Sequence, residues 1–185
     1  MTGPRNTAER QSESESESET DPAARARQVC YRLLTLAPRT RAQLAEALAK
    51  RGIPDDVADD VLAKFTDAGL IDDAAFAKAW VESRHNGRGL AATALRAELK
   101  NRGVDSDDIQ DALEELDPGA EAQTARRLVD RKLASMTNLS PDAKTRRLVG
   151  LLARKGYPAG LAFRVVREAM EAAGLDVVAD DVLPD

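Results

Sequence analysis

One short turn occurs three times in this chain and limits its fold more than any other feature. Arg51-Gly52-Ile53, Arg102-Gly103-Val104 and Lys155-Gly156-Tyr157 share a pattern of base, glycine, apolar residue, with glycines 51 and 53 residues apart. The surroundings repeat as well. Leu44, Leu95 and Leu148 stand eight residues before the glycines, and Leu48, Leu99 and Leu152 four before. Leu62, Leu113 and Val166 stand ten after, and Val29, Trp80 and Leu133 fall in register upstream. Self-similarity at a fixed period marks a repeat architecture. The glycine ends a helix in a left-handed turn, and the base before it complements the negative helix end. Each unit therefore reads as three helices: one before, one ending at the glycine and one after.

Local signals agree. Asp21-Pro22 is an N-cap followed by a proline at the first helical position. The helix that follows carries Val29, Cys30, Leu33, Leu34 and Leu36 before Pro38. Thr40 with Gln43 forms a capping box, and its helix stops at Gly52. Pro54 opens a third helix with Val57, Val61, Leu62 and Phe65, ending at Gly69. No segment carries a strand signal. Aromatic residues make up 3% of a chain that is 43% hydrophobic, which suits layers of Leu, Ala and Val better than one deep core. Short three-helix units bury little surface alone, so neighbours are expected to stack. The predicted fold is all-α: a tandem array of three three-helix repeats forming an elongated, curved rod. The repeats are placed at residues 22–70, 71–117 and 118–174.

Tails flank the array. Residues 1–21 are acidic and Ser/Glu-rich; QSESESESET offers no apolar face and is expected to be disordered. A solubilising role is the simple reading, with a phosphorylated or partner-competing arm as the alternative. Residues 175–185 read as a second acidic, poorly ordered tail. The N-terminus lacks an apolar signal-peptide core and no apolar run reaches spanning length, so a reducing cytoplasm is the expected compartment.

The chemistry-bearing residues are sparse. One cysteine, Cys30, and one histidine, His85, exclude an internal disulfide and Cys- or His-cluster metal sites, and no cofactor is expected. Phosphate-loop, nucleophile-elbow and zinc-protease motifs are absent, so no enzyme activity is expected. The pairs Asp55-Asp56, Asp59-Asp60, Asp72-Asp73 and Asp107-Asp108 suit helix N-termini, which attract acids; metal-dependent chemistry is the remote alternative. Cys30 and Trp80 are expected in the core. His85 is expected in a loop, facing solvent or a partner, with Asn86 and Gly87-Arg88-Gly89 making the turn between two helices.

The net charge of −5 hides an uneven distribution. Arg25 to Asp117 carries 14 bases and 17 acids, whereas Pro118 to Arg167 carries 11 bases and 3 acids. Such asymmetry suits contact with a polyanion or an acidic protein surface, and a solvated helical face is the bland alternative. Two candidate contact regions follow. Arg84, Arg88, Arg96, Lys100 and Arg102 surround the middle repeat. Arg126, Arg127, Arg146, Arg147, Arg154 and Lys155 belong to the third, where Arg131, Lys132, Lys144, Arg164 and Arg167 extend the basic surface.

The stretch GLIDDAAFAKAWVESRHNGRGLAATALRAELKNRGV, Gly69 to Val104, resembles the central signature of the RecX family. The matching features are Gly69-Leu70-Ile71-Asp72-Asp73, Phe76-Ala77, Trp80, Arg84, Gly89, Leu95, Arg96, Leu99 and the Arg102-Gly103-Val104 turn. The region Arg25 to Ala173 fits the family's tandem three-helix plan. The resemblance implies a cytoplasmic bacterial protein that binds the RecA–DNA filament and suppresses ATP hydrolysis, strand exchange and repressor cleavage; a monomer is expected. Some members also bind single- or double-stranded DNA directly. The family carries no catalytic residues over, and the basic positions above rest on charge alone. Two other readings stay open: a helix-turn-helix regulator that binds duplex DNA without RecA, and a metal-dependent nuclease using the paired acids.

Overall fold

The computed structural model describes residues 21–175; the segments 1–20 and 176–185, for which tails were expected, lie outside the described residues. Among the described residues there are nine helices and no strand. They are α1 (Pro22–Leu36), α2 (Arg41–Ala49), α3 (Asp55–Asp67), α4 (Asp73–Arg88), α5 (Ala92–Lys100), α6 (Ser106–Glu114), α7 (Pro118–Ala134), α8 (Pro141–Arg154) and α9 (Ala159–Ala172). The chain divides into two compact units.

The first unit comprises residues 21–76 with Arg102–Asp105. The Asp21 side chain accepts from the Ala23 N–H and starts α1, and Thr40 and Gln43 form the reciprocal capping box of α2. Ala26 and Cys30 from α1, Leu44 and Leu48 from α2, and Ala58, Val61, Leu62 and Phe65 from α3 form one buried cluster. Burying a leucine fully is worth about 1.5–3 kcal/mol, so the α2 pair alone anchors that helix. Burial pushes the Cys30 thiol above its ordinary pKa. Gly52 and Gly69 take positive φ of 70° and 69°. After Gly52 the Ile53 N–H returns to the Leu48 carbonyl at 3.2 Å, and Arg51 donates from Nη1 to the Ala47 carbonyl at 2.7 Å.

The Arg102-Gly103 turn belongs to this unit and docks on the start of α2. Thr40 donates from Oγ1 to the Arg102 carbonyl at 2.7 Å. The Arg41 N–H, one of the four orphan donors of a helix N-terminus, is taken by Asp73 Oδ1 at 2.9 Å. Gly103, at φ 74°, lies directly against Ala42.

The second unit comprises Ala77–Asn101 and the described residues from Ser106 onward. Leu148 and Leu152 of α8, Val165, Val166, Ala169 and Met170 of α9, and Ala125 and Val129 of α7 belong to one buried cluster, on which Leu175 also packs. The docking seen in the first unit recurs. The Ala91 N–H donates to the Lys155 carbonyl at 2.9 Å, the Ala92 N–H to Glu121 Oε1 at 2.9 Å, and Gly156 lies against Ala94. Thus Thr40, Arg41 and Asp73 have counterparts in Ala91, Ala92 and Glu121. At α8 the series changes: Ser140 caps through its own side chain to the Ala143 N–H, and Pro141 occupies the first helical position.

Three expectations are corrected. Trp80 is only half-buried, as are Val29 and Leu133; the buried seam of each first helix falls on Ala26 and Cys30, Ala77 and Val81, and Ala125 and Val129. His85 is not a loop residue. It lies in α4, 4% exposed. Asn86 and Gly87 are also helical, and the left-handed position falls on Gly89, φ 63°.

Candidate functional site

The second unit carries a groove of about 580 Å³ lined by Gly87, Arg88, Leu90, Leu128, Arg131, Lys132, Ser135, Leu151 and Lys155. Its floor is leucine, and among the described residues its lining holds four cations and no carboxylate. The docked turn at Gly156 brings the two ends of this set together. Lys155 donates from Nζ to the Arg88 carbonyl at the C-terminus of α4, where a cation complements the exposed helix carbonyls. Beside it, Tyr157 donates from its hydroxyl to the Gly89 carbonyl at 3.1 Å. Burial, reinforced by the charge of Glu121, pushes the Tyr157 hydroxyl up to about 12, with Arg127 opposing.

His85 holds the wall behind the groove. Its Nδ1 meets the Leu90 carbonyl at 2.9 Å, and Nε2 meets Thr124 Oγ1 at 3.0 Å. A carbonyl only accepts, so Nδ1 carries a proton, and in the neutral imidazole Nε2 then accepts from the threonine hydroxyl. Arg127 Nη2 donates to the same Thr124 oxygen at 2.8 Å. This relay ties Leu90 of the groove floor to α7, which supplies Leu128, Arg131 and Lys132.

The residues singled out by charge separate into distinct situations. Arg88 and Lys155, placed in different regions on sequence grounds, share the groove. Arg84 is held within its own unit: its guanidinium lies 4.0 Å over the Trp80 ring and its Nε 4.0 Å from Glu98, which also accepts from Trp80 Nε1 at 2.8 Å. Arg96 donates to Gln110 at 2.9 Å, and Arg126 pairs with Asp130 at 2.8 Å. Arg102 contributes its carbonyl to the docked turn. Lys100, Arg146, Arg147 and Arg154 are exposed. Helical spacing puts Arg147 and Arg154 beside the Leu151 flank of α8 and Arg146 on the far side. Charge counting passed over Arg131 and Lys132 as site residues. The signal was present: Leu128, Arg131, Lys132 and Ser135 stand at i, i+3, i+4 and i+7, one helix face.

A tandem three-helix-repeat protein with a cation-rimmed, leucine-floored groove is the class that these features define. Comparison with known proteins is consistent throughout. Residues 26–65, 72–113 and 120–166 match the family descriptions "RecX, first three-helix domain", "second" and "third" respectively. The chain is 56% identical over 154 residues to "Regulatory protein RecX" of Thermobifida fusca (strain YX), covering 83% of each chain. It is 56% identical over 156 residues to that of Streptomyces coelicolor, covering 84% of this chain and 83% of the relative. The crystal structure of RecX from Lactobacillus salivarius superposes with a TM-score of 0.74 at 19% identity, covering 81% of this chain and 97% of that one, a likeness of fold. The chain belongs to the RecX family.

Proposed function

We propose that this chain modulates the RecA recombinase, mainly as an inhibitor, by binding the RecA–DNA filament and suppressing ATP hydrolysis, strand exchange and repressor cleavage. Membership of a family of regulatory proteins supports that reading, and RecA is the partner that the family resemblance implies. The observation that carries it is the groove: four cations drawn from α4, α7 and the turn after α8, over an apolar floor, with no carboxylate among the described residues that line it. Such a surface suits a partner that presents both negative charge and apolar side chains, as a recombinase surface beside a DNA backbone does. The protein acts by binding alone, as a monomer and in the cytoplasm, and clamping a filament would oppose the motions that ATP turnover requires.

The test is single-stranded-DNA-dependent ATP hydrolysis by the cognate RecA, titrated with the wild-type chain and with Arg88→Glu/Arg131→Glu/Lys132→Glu. The expected result is inhibition by wild type at substoichiometric levels and its loss in the variant. Wild-type protein that neither binds the filament nor slows hydrolysis would sink the reading and favour a duplex-DNA regulator. Full inhibition by the variant would move the contact off this groove.

A further inference from the structure

We propose that the groove of the second unit takes the chain's own C-terminal segment, residues 176–185, in cis. The observations are complementary in two chemistries at once. The groove offers Arg88, Arg131, Lys132 and Lys155 around Leu90, Leu128 and Leu151. The segment DVVADDVLPD offers Asp176, Asp180, Asp181 and Asp185 interleaved with Val177, Val178, Val182 and Leu183, and carries no base. The other acidic stretch, QSESESESET, has charge but no apolar side chain to lay on leucine. Charge alone would fit both stretches; the apolar floor selects the C-terminal one.

The tether has the necessary reach. Leu175 is fixed on the same unit: its N–H donates to the Met170 carbonyl at 3.0 Å, and it packs on the buried cluster of the third repeat. Leu175 shares a depression with Arg126, Asp130 and Leu133 of α7, whereas the groove uses Leu128, Arg131, Lys132 and Ser135. At helical spacing these sets lie on opposite sides of α7. A helix with its side chains is about 10–12 Å across, so the path around it is roughly 15–20 Å. Ten extended residues span roughly 33 Å. A short tether holds the segment at an effective concentration in the millimolar range, so weak contacts suffice for substantial occupancy. An occupant held in this way competes with any external polyanion or acidic surface for the same cations. The bearing of that competition on RecA rests on the proposed function; the docking itself does not.

The test uses the full chain, isotope-labelled, with Asp185→Cys carrying a nitroxide; Cys30, fully buried with a raised thiol pKa, is shielded from the label. In low salt the amides of Leu90, Leu128, Lys132, Ser135 and Leu151 are expected to lose most of their intensity. That loss should reverse at high salt, which screens exposed charges, and in Val182→Ser/Leu183→Ser. Broadening spread evenly over the surface, or confined to the neighbourhood of Leu175, would overturn the proposal. So would broadening that arises when unlabelled nitroxide-bearing chain is mixed with labelled chain, which would assign the groove to a second copy. If a single-stranded oligonucleotide shifts these amides while the nitroxide leaves them untouched, the groove belongs to nucleic acid alone. RecA is absent from every arm, so failure here is distinguishable from failure of the ATP-hydrolysis test.

Discussion

A Cβ on Gly103 would sit 2.3 Å from the Cβ of Ala42. Gly103 is therefore glycine for two reasons: a left-handed backbone and a neighbour that leaves no room for a side chain. Gly156 is under the same double constraint, with a Cβ there falling 2.6 Å from the Ala94 backbone nitrogen. Gly52 has the left-handed φ but nothing within 4 Å. The three turns look alike in sequence and differ in load. Gly52→Ala is expected to destabilise by about 1 kcal/mol, the cost of a Cβ in left-handed conformation. Gly103→Ala and Gly156→Ala are expected to cost more, roughly 2–4 kcal/mol, because overpacking is added. Urea denaturation of the three variants checks this, and equal losses would mean that the docked turns are not tight. Ala42→Gly should restore part of the loss in Gly103→Ala.

Tyr157 makes stability fall at alkaline pH. Its hydroxyl ionises near 10 when unfolded and near 12 when folded. Between those values the folded state holds a proton that the unfolded state has released. Stability from this group is thus fully present below about pH 10 and is lost as pH rises toward 12. Thermal melts across that window should show a decline that is smaller in Tyr157→Phe. That variant is expected to start about 1 kcal/mol lower at neutral pH through loss of the Gly89 hydrogen bond.

Thr124→Val should be costly for a near-isosteric change. It removes the donor to His85 Nε2 and the acceptor for Arg127 Nη2 together. A buried imidazole nitrogen left without a partner costs roughly 1–3 kcal/mol. Thr124→Ser, which keeps the hydroxyl, should recover most of the denaturation midpoint; if it does not, packing rather than the relay holds this wall.

The chain has a single tryptophan, so its fluorescence reports on one place. Arg84→Ala uncovers the Trp80 face now lying beneath the guanidinium. Emission is expected to move to longer wavelength, with a stability loss of about 0.5–1 kcal/mol for a half-exposed cation–π contact. Unchanged emission would show that the ring is not covered in solution.

The helices were legible because their signals are local. Capping by Asp21 and Thr40, the glycine stops and the 51- and 53-residue spacing of the buried leucines all read directly from the chain. His85 was not legible, since its burial depends on Thr124, far away in sequence and contributed by another repeat. Trp80 was misplaced because register arithmetic fixes which helix a residue occupies but not its rotation by one position. The basic groove was half legible. Charge counting found its residue type and its repeat. It separated Arg88 from Lys155, because only the docked Gly156 turn brings α8 back to the end of α4.

Pro141 makes the start of α8 unlike the starts of α2 and α5. At the two internal joints a backbone N–H, from Arg41 and from Ala92, receives an acid from the module that follows. Proline has no N–H to give, and the helix it opens is already capped by Ser140. A fourth module, or the first module of another copy, would find no donor there for its acid. Head-to-tail contacts in general give rings where the rotation closes and open filaments where it does not. One imino acid at the start of α8 therefore withholds from the third module the backbone donor that the first two modules each use.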